Sequence, residues 1–333
     1  MSTEAIDAPS SRGATVPAGR VLLVVLIGLV LGALLNADSL VERAERKPFG
    51  WSRSLSLAIW NPTQTISHAL ALDRPRAWVD DLTGRTGELP PGPTAGLVTP
   101  DEPTATTMPP PAQEPQLRTP TTAAPLRVWV GGDSMSQVFG QSLISSVSDT
   151  DLMVATLDYR ISTGLTRPDF FNWPAHLSVE AERLDPEALV IMFGANDAQG
   201  LQNDDGEVFA LLSDGWIAQY RLRVAATMDL LHDADRVVYW VGQPIMRSSS
   251  FSERMAGLNA IYRDEAESRH WVRYIDSYAL FANDSGSYEA FLPGPDGRVQ
   301  DLRQGDGVHL SRAGGDLLAN RVLELIERDA KLR

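Results

Sequence analysis

The sequence predicts an α/β fold: a three-layer α/β/α sandwich with a mostly parallel sheet of about five strands covered on both faces by helices. Three observations predict it. From Leu126 to Arg333, short apolar runs alternate with amphipathic helical patterns. The runs are unbroken, as strands buried on both faces are. Glycines close three of them, at Gly132, Gly194 and Gly242, and in such folds the site lies at the carboxyl ends of the strands.

Taken in order, the predicted strands are Leu126–Val130, Leu152–Leu157, Ala188–Phe193, Arg236–Val241 and Val272–Asp276. Helical patterns lie between and after them, at Ser136–Ser146, Trp216–His232, Ser252–Arg269 and about Ser311 to Ala330. In Trp216–His232 the residues Ile217, Tyr220, Val224, Thr227, Met228 and Leu231 share one face, the period of a half-buried helix.

The chain before this domain has a different composition. Residues 1–19 are small, polar and proline-containing, and read as a disordered cytoplasmic tail. Val21 to Leu35 is unbroken Val, Leu, Ile, Gly and Ala. With its flanks, residues 20–37 reach the ~20 residues of a bilayer span, with Arg20 snorkelling, and read as a transmembrane signal-anchor. A cleaved signal peptide is the rival, but Leu35 stands two positions before Ala37, where a small residue is wanted. Residues 38–84 read as a membrane-proximal helical segment with Trp51, Trp60 and Trp78 spaced through it. Such tryptophans sit at a membrane interface or inside a small self-packed hairpin. Residues 85–125 hold half of the chain's 22 prolines, with many Thr and Ala, and read as a disordered linker.

The charge balance narrows the partners. A net charge of −14 argues against nucleic acid. The absence of cysteine excludes disulfides, thiolate metal sites and a cysteine nucleophile. Arg43, Arg46, Lys47 and Arg53 follow the apolar run, against Arg12 and Arg20 before it. Read locally, that would keep the C-terminal part in the cytoplasm. Long domains cross regardless, and the proline-rich spacer favours an extracytoplasmic domain on the periplasmic or cell-wall side.

Four stretches carry candidate chemistry. Gly131-Gly132-Asp133-Ser134 follows the first strand and lifts a hydroxyl beside backbone N–H groups at a helix start. Gly164 follows the second strand, where it can offer an N–H. Phe193-Gly194-Ala195-Asn196-Asp197 follows the third, and a neutral Asn amide suits an oxyanion. Asp306-Gly307-Val308-His309 places an acid three residues before a histidine, so that Asp306 can fix the His309 tautomer. His68, His176, His232 and His270 have no acid at that spacing in a glycine-marked loop, and no three-histidine zinc set is visible.

These blocks, in this order over residues 126–333, resemble the four sequence blocks of the SGNH (GDSL-type) hydrolases, and their wording resembles a bacterial cell-envelope subgroup. The resemblance implies a flavodoxin-like sandwich and a catalytic domain with Ser134 as nucleophile, His309 as base and Asp306 as its orienter. It implies an oxyanion hole from the Ser134 and Gly164 N–H groups and the Asn196 side chain, with no metal or organic cofactor. Met135 replaces the common leucine at similar volume. Asp133, Asp197 and Gln199 flank these residues and are candidates for substrate contact. Arg247 and Arg303 read as surface or salt-bridged residues, and Asn203-Asp204-Asp205-Gly206-Glu207 as a solvated acidic turn.

The function this implies is a membrane-anchored serine esterase removing an acyl group, for instance acetyl, from an envelope glycan or lipid. An O-acyltransferase passing the acyl group to a sugar hydroxyl is the second reading. A non-catalytic scaffold on a hydrolase fold is the third.

Overall fold

The computed structural model describes residues 17–45, 47, 50–72, 116–148, 150–294 and 297–333. The expected cytoplasmic tail and most of the proline-rich linker lie outside these residues. The chain divides into two compact units, Met1–Glu88 and Leu89–Arg333.

Among the described residues the first unit holds three helices: α1 (Ala18–Leu35), α2 (Ala37–Glu45) and α3 (Trp51–Ala69). Among the described residues α1 alone is long and apolar enough to cross a membrane, and none of it is buried. Asn36 breaks it: its side chain donates back to the Gly32 carbonyl at 2.8 Å, and α2 starts at the next residue. Ala37, Val41 and Ala44 on α2 are buried. Asp38 joins α2 to α3 by accepting from Gln64 Nε2 at 2.8 Å and pairing with His68 at 2.7 Å.

The second unit is built on five parallel strands: β1 (Leu126–Gly132), β2 (Met153–Tyr159), β3 (Ala188–Met192), β6 (Val237–Val241) and β7 (Val272–Ile275). Their order is β2-β1-β3-β6-β7, a doubly wound sheet whose order reverses at β1. Every residue of β3 and of β6 is buried, as the unbroken apolar runs require. Helices α4 (Met135–Ser148), α5 (Trp173–Leu184), α6 (Asp214–Leu230), α7 (Ser249–Glu267) and α9 (Arg312–Asp329) cover the sheet, with the short α8 (Ser277–Leu280) after β7. Ser213, Ser248 and Ser311 cap α6, α7 and α9 by accepting the N–H three residues on. Trp129, Trp173, Trp216 and Trp240 are fully buried in the core.

Three features depart from the sequence reading. Helix α5 was not expected. Its buried stripe is only Trp173, Leu177 and Ala181, too narrow a signal beside Pro174. Two antiparallel ribbons, β4 (Leu201–Gln202) with β5 (Val208–Phe209) and β8 (Phe291–Pro293) with β9 (Val299–Asp301), stand outside the sheet. The acidic stretch Asn203–Glu207 is the turn of the first ribbon, closed by Asn203 N–H to Glu207 O at 3.0 Å. Finally, residues 116–125 belong with the domain rather than with the linker. Leu117 is buried, its N–H donates to Asp329 O at 3.0 Å, and Arg118 pairs with Glu187.

Candidate active site

Ser134 owes its position to the end of β1. Gly132 pairs with Tyr159 on one side and Met192 on the other. Its φ is 143°, and a Cβ there would stand 2.0 Å from the Met192 carbonyl oxygen. Only glycine lets the chain turn off the sheet at this point. Asp133 then starts α4 by accepting the Met135 N–H at 2.8 Å, and Ser136 Oγ donates to the Asp133 carbonyl at 2.7 Å. Ser134 is left at the mouth of the helix, at the point where the strand order reverses.

The base comes from the loop before α9. His309 Nε2 lies 3.0 Å from Ser134 Oγ, and His309 Nδ1 lies 2.7 Å from Asp306 Oδ2. A carboxylate accepts only, so Nδ1 carries the proton and Nε2 is left to accept from the serine hydroxyl. Asp306 Oδ1 also accepts the N–H groups of Val308 at 2.8 Å and His309 at 3.0 Å. Partial desolvation pushes the Asp306 carboxyl up, but the His309 and backbone hydrogen bonds prevail and hold it down at about 2. It therefore stays anionic throughout the neutral range.

Arg303 holds this loop from beneath, and it is not the surface or salt-bridged residue the sequence suggests. It is buried, and among the described residues it has no carboxylate partner. Its Nη1 donates to Ile245 O and its Nη2 to Val308 O at 2.8 Å, tying the base loop to the chain that leaves β6. The guanidinium carbon sits 5.2 Å from the Tyr288 ring centre and 5.8 Å from that of Phe281, within reach of the ring faces. Burial lowers the Arg303 pKa to about 10, so it remains a cation at neutral pH. Arg247 is exposed and donates to Gly305 O at 2.8 Å, on the same loop.

The loops that carry Asn196 and Gly164 meet each other. Asn196 Nδ2 donates to Thr163 O at 3.1 Å, which brings the loop after β3 onto the loop after β2. The Gly164 loop is held from both sides. Asp197 accepts the N–H groups of Leu165 at 3.0 Å and Thr166 at 2.7 Å, and Arg223 Nη1 donates to the carbonyls of the same two residues at 2.9 and 3.0 Å. A Cβ on residue 164 would meet Asp197 Oδ1 at 2.3 Å, so the close approach requires glycine. Among the described residues neither the Ser134 N–H nor the Gly164 N–H has a hydrogen-bond partner. Two unspent donors beside a neutral amide can stabilise a developing oxyanion.

The three residues expected to touch substrate are placed otherwise. Asp133 and Asp197 are fully buried beneath the site. Asp133 Oδ2 accepts the Gly194 N–H at 3.1 Å and faces Asn196 Nδ2 at 3.4 Å. Burial raises the Asp133 carboxyl to about 7 against the opposing Met135 and Gly194 N–H bonds, with the Asp197 charge adding to the rise. Asp197 also accepts from Tyr220 Oη at 2.7 Å, which in turn lies 2.7 Å from Tyr262 Oη. Gln199 is partly buried, and its Nε2 donates to Asn196 O at 2.6 Å, turning it back onto the loop. Asp133 and Asp197 support the loops from beneath, and Gln199 braces the Asn196 loop. Arg223 and Arg303 are the supports the sequence did not reveal. Arg223 falls on the buried face of α6 between Tyr220 and Val224, and that heptad position was its only visible signal.

No curated protein matches this chain. Among solved structures, a GDSL-like lipase from Bacteroides thetaiotaomicron aligns at 15% identity and TM-score 0.41, over 61% of this chain and 88% of that one. A lipase from a goat rumen metagenome aligns at 14% and 0.40, over 60% and 96%. A catalytic mutant of an acetylxylan esterase from Geobacillus stearothermophilus aligns at 17% and 0.38, over 60% and 94%. These likenesses are distant, and the chemistry is read from the geometry above. The family model described as a protein of unknown function, DUF459, matches residues 127–325; the chain belongs to that family, and its domain has the doubly wound α/β fold that the sequence predicts.

Proposed function

We propose that this protein is a membrane-anchored serine esterase that cleaves an acyl ester through an acyl-Ser134 intermediate. The observation that carries this reading is the relay from Ser134 Oγ to His309 Nε2 at 3.0 Å and from His309 Nδ1 to Asp306 at 2.7 Å. Ser134 Oγ attacks the ester carbonyl as Nε2 takes its proton. The charge that develops on the carbonyl oxygen is met by the Ser134 and Gly164 N–H groups and the Asn196 amide. The tetrahedral species collapses, and the departing alcohol takes the proton from Nε2. Water then repeats the sequence on the acyl-serine and releases the acid. No step asks for a metal or an organic cofactor.

The substrate class follows from where the domain would work. A helix of bilayer length near the N-terminus and a proline-rich linker support an anchored, extracytoplasmic enzyme. Esters of envelope glycans or lipids are then the acyl groups within reach, and a short one such as acetyl is the reading we adopt.

The test is turnover of a soluble aryl acetate by the full chain in detergent. Ser134→Ala is expected to lower kcat by about 10⁴-fold or more, and to abolish covalent labelling by a fluorophosphonate. Undiminished turnover by Ser134→Ala would refute the assignment.

A further inference from the structure

Helix α3 exposes an apolar stripe, flanked by the exposed polar residues Ser54, Asn61 and Thr65. At about 100° per residue, Trp51, Leu55, Ile59, Ile66 and Leu70 fall within one arc of about 100°, and each is at least half exposed. Of the other exposed positions, Pro62 and Ala69 lie within that arc, Ala58 lies just beyond its edge, and Ser52 shares the angle of Leu70. The opposite face, which turns towards α2, carries Leu57 and Trp60 together with polar residues that bond to the neighbouring helices. Ser56 accepts from Lys47 Nζ at 2.6 Å, Gln64 donates to Asp38, and Ser67 Oγ donates to the Leu34 carbonyl at 2.7 Å. Such an exposed apolar stripe marks a surface that something covers.

Three observations select the cover. The Ser67–Leu34 bond fixes the C-terminal end of α3 against the C-terminal end of α1, and α1 is apolar with no buried residue. Whatever apolar medium takes α1 therefore begins where α3 lies. Trp51, 80% exposed, stands at the other end of the stripe, and tryptophan favours the membrane–water boundary. Arg43, Lys47 and Arg53 belong to the same hairpin, and basic groups there meet anionic headgroups.

We propose that the α2–α3 hairpin lies in the headgroup region of an anionic bilayer, with the Trp51–Leu70 stripe of α3 turned into the acyl boundary. The inference rests on α1 being a membrane span. The hairpin then acts as a foot, so that the chain after residue 72 leaves from the membrane surface at a fixed point rather than directly from the end of the span.

The absence of cysteine from the chain makes the test direct. Single variants Leu55→Cys, Ile59→Cys, Asn61→Cys and Leu29→Cys of the full chain are labelled with an environment-sensitive fluorophore. They are then reconstituted in phosphatidylcholine–phosphatidylglycerol vesicles carrying nitroxide lipids. Labels at 55 and 59 are expected to be quenched several-fold more than the label at 61, most strongly by the shallow nitroxide, matching a depth of ~5–10 Å. The label at 29 is expected to respond to the deep nitroxide. If 29 is quenched while 55 and 59 stay aqueous, the foot is refuted and the span stands. If 29 is also aqueous, both fail. Ready oxidation of Leu55→Cys to a disulfide dimer, with 55 and 59 unquenched, would assign the stripe to a second copy and overturn the proposal.

Discussion

Two carboxylates within a few ångströms of the candidate site behave in opposite ways, and the reason is what surrounds them. Asp306 is partly exposed and collects one imidazole and two backbone N–H donors, which hold it at about 2. Asp133 is fully buried, and burial lifts it to about 7 despite its own N–H donors. Each makes a different statement about pH. The lowered Asp306 contributes stability that is present above about 4 and is lost only as pH falls towards 2. The raised Asp133 contributes stability that is fully present below about 4 and is lost as pH rises through about 7, because the unfolded chain releases that proton first. Between pH 4 and pH 7, then, Asp133 is the carboxyl of the pair that titrates. Asp133→Asn is expected to flatten the loss of stability across this window, by on the order of 3 kcal/mol. Denaturant midpoints of both proteins at pH 4.5 and pH 7.5, followed by tryptophan fluorescence, check this. A parallel loss in the two proteins would show that the Asp133 proton is not the cause.

At the scale of elements, the candidate site is a meeting of loops, and buried arginines hold the two that carry most of it. Arg223 on α6 grips the carbonyls of Leu165 and Thr166, while Asp197 grips their N–H groups. Arg303 grips the carbonyls of Val308 and Ile245 and so fixes the base loop. A buried guanidinium without a carboxylate is costly to solvate, and here backbone carbonyls and ring faces take that place. Arg303→Met keeps much of the volume and removes the donors. It is expected to lower kcat for the soluble ester by more than tenfold while KM changes little, and to cost about 1.5–3 kcal/mol of stability. Steady-state kinetics with a parallel unfolding curve measures both. Unchanged kcat in a folded protein would remove Arg303 from the support of His309.

At the scale of the molecule, the chain is two units. The candidate active-site residues lie wholly within Leu89–Arg333, and the membrane-length helix wholly within Met1–Glu88. A fragment of residues 89–333 is expected to turn over the soluble ester with the kcat/KM of the full chain and to lose attachment to vesicles. The start point matters on the domain side. A fragment beginning at residue 126 loses buried Leu117 and the Arg118–Glu187 pair. It is expected to be less stable than one beginning at 116, by about 1.5–3 kcal/mol for the leucine alone, read as a lower Tm. Equal melting of the two fragments would show that residues 116–125 add nothing to the domain.

The strands of the sheet were legible because strands buried on both faces must be written as unbroken apolar runs, and Ala188–Met192 and Val237–Val241 are such runs. The serine, the histidine and the acid were legible because they stand at strand ends or in a glycine-marked loop, with spacings that local geometry enforces. Helix α5 was not legible, since three apolar residues beside a proline make too narrow a stripe. Residues 116–125 were hidden by a composition shared with the linker. The sequence by itself determined the α/β class, the order of the blocks and the candidate triad. Only the tertiary structure decided that Asp133 and Asp197 lie beneath the site, that Arg223 and Arg303 are its buried clamps, and that α3 exposes an apolar stripe. The physical reason is that burial and hydrogen-bond partners are properties of residues distant along the chain: Asp197 meets Thr166 across 31 positions and Ser134 meets His309 across 175.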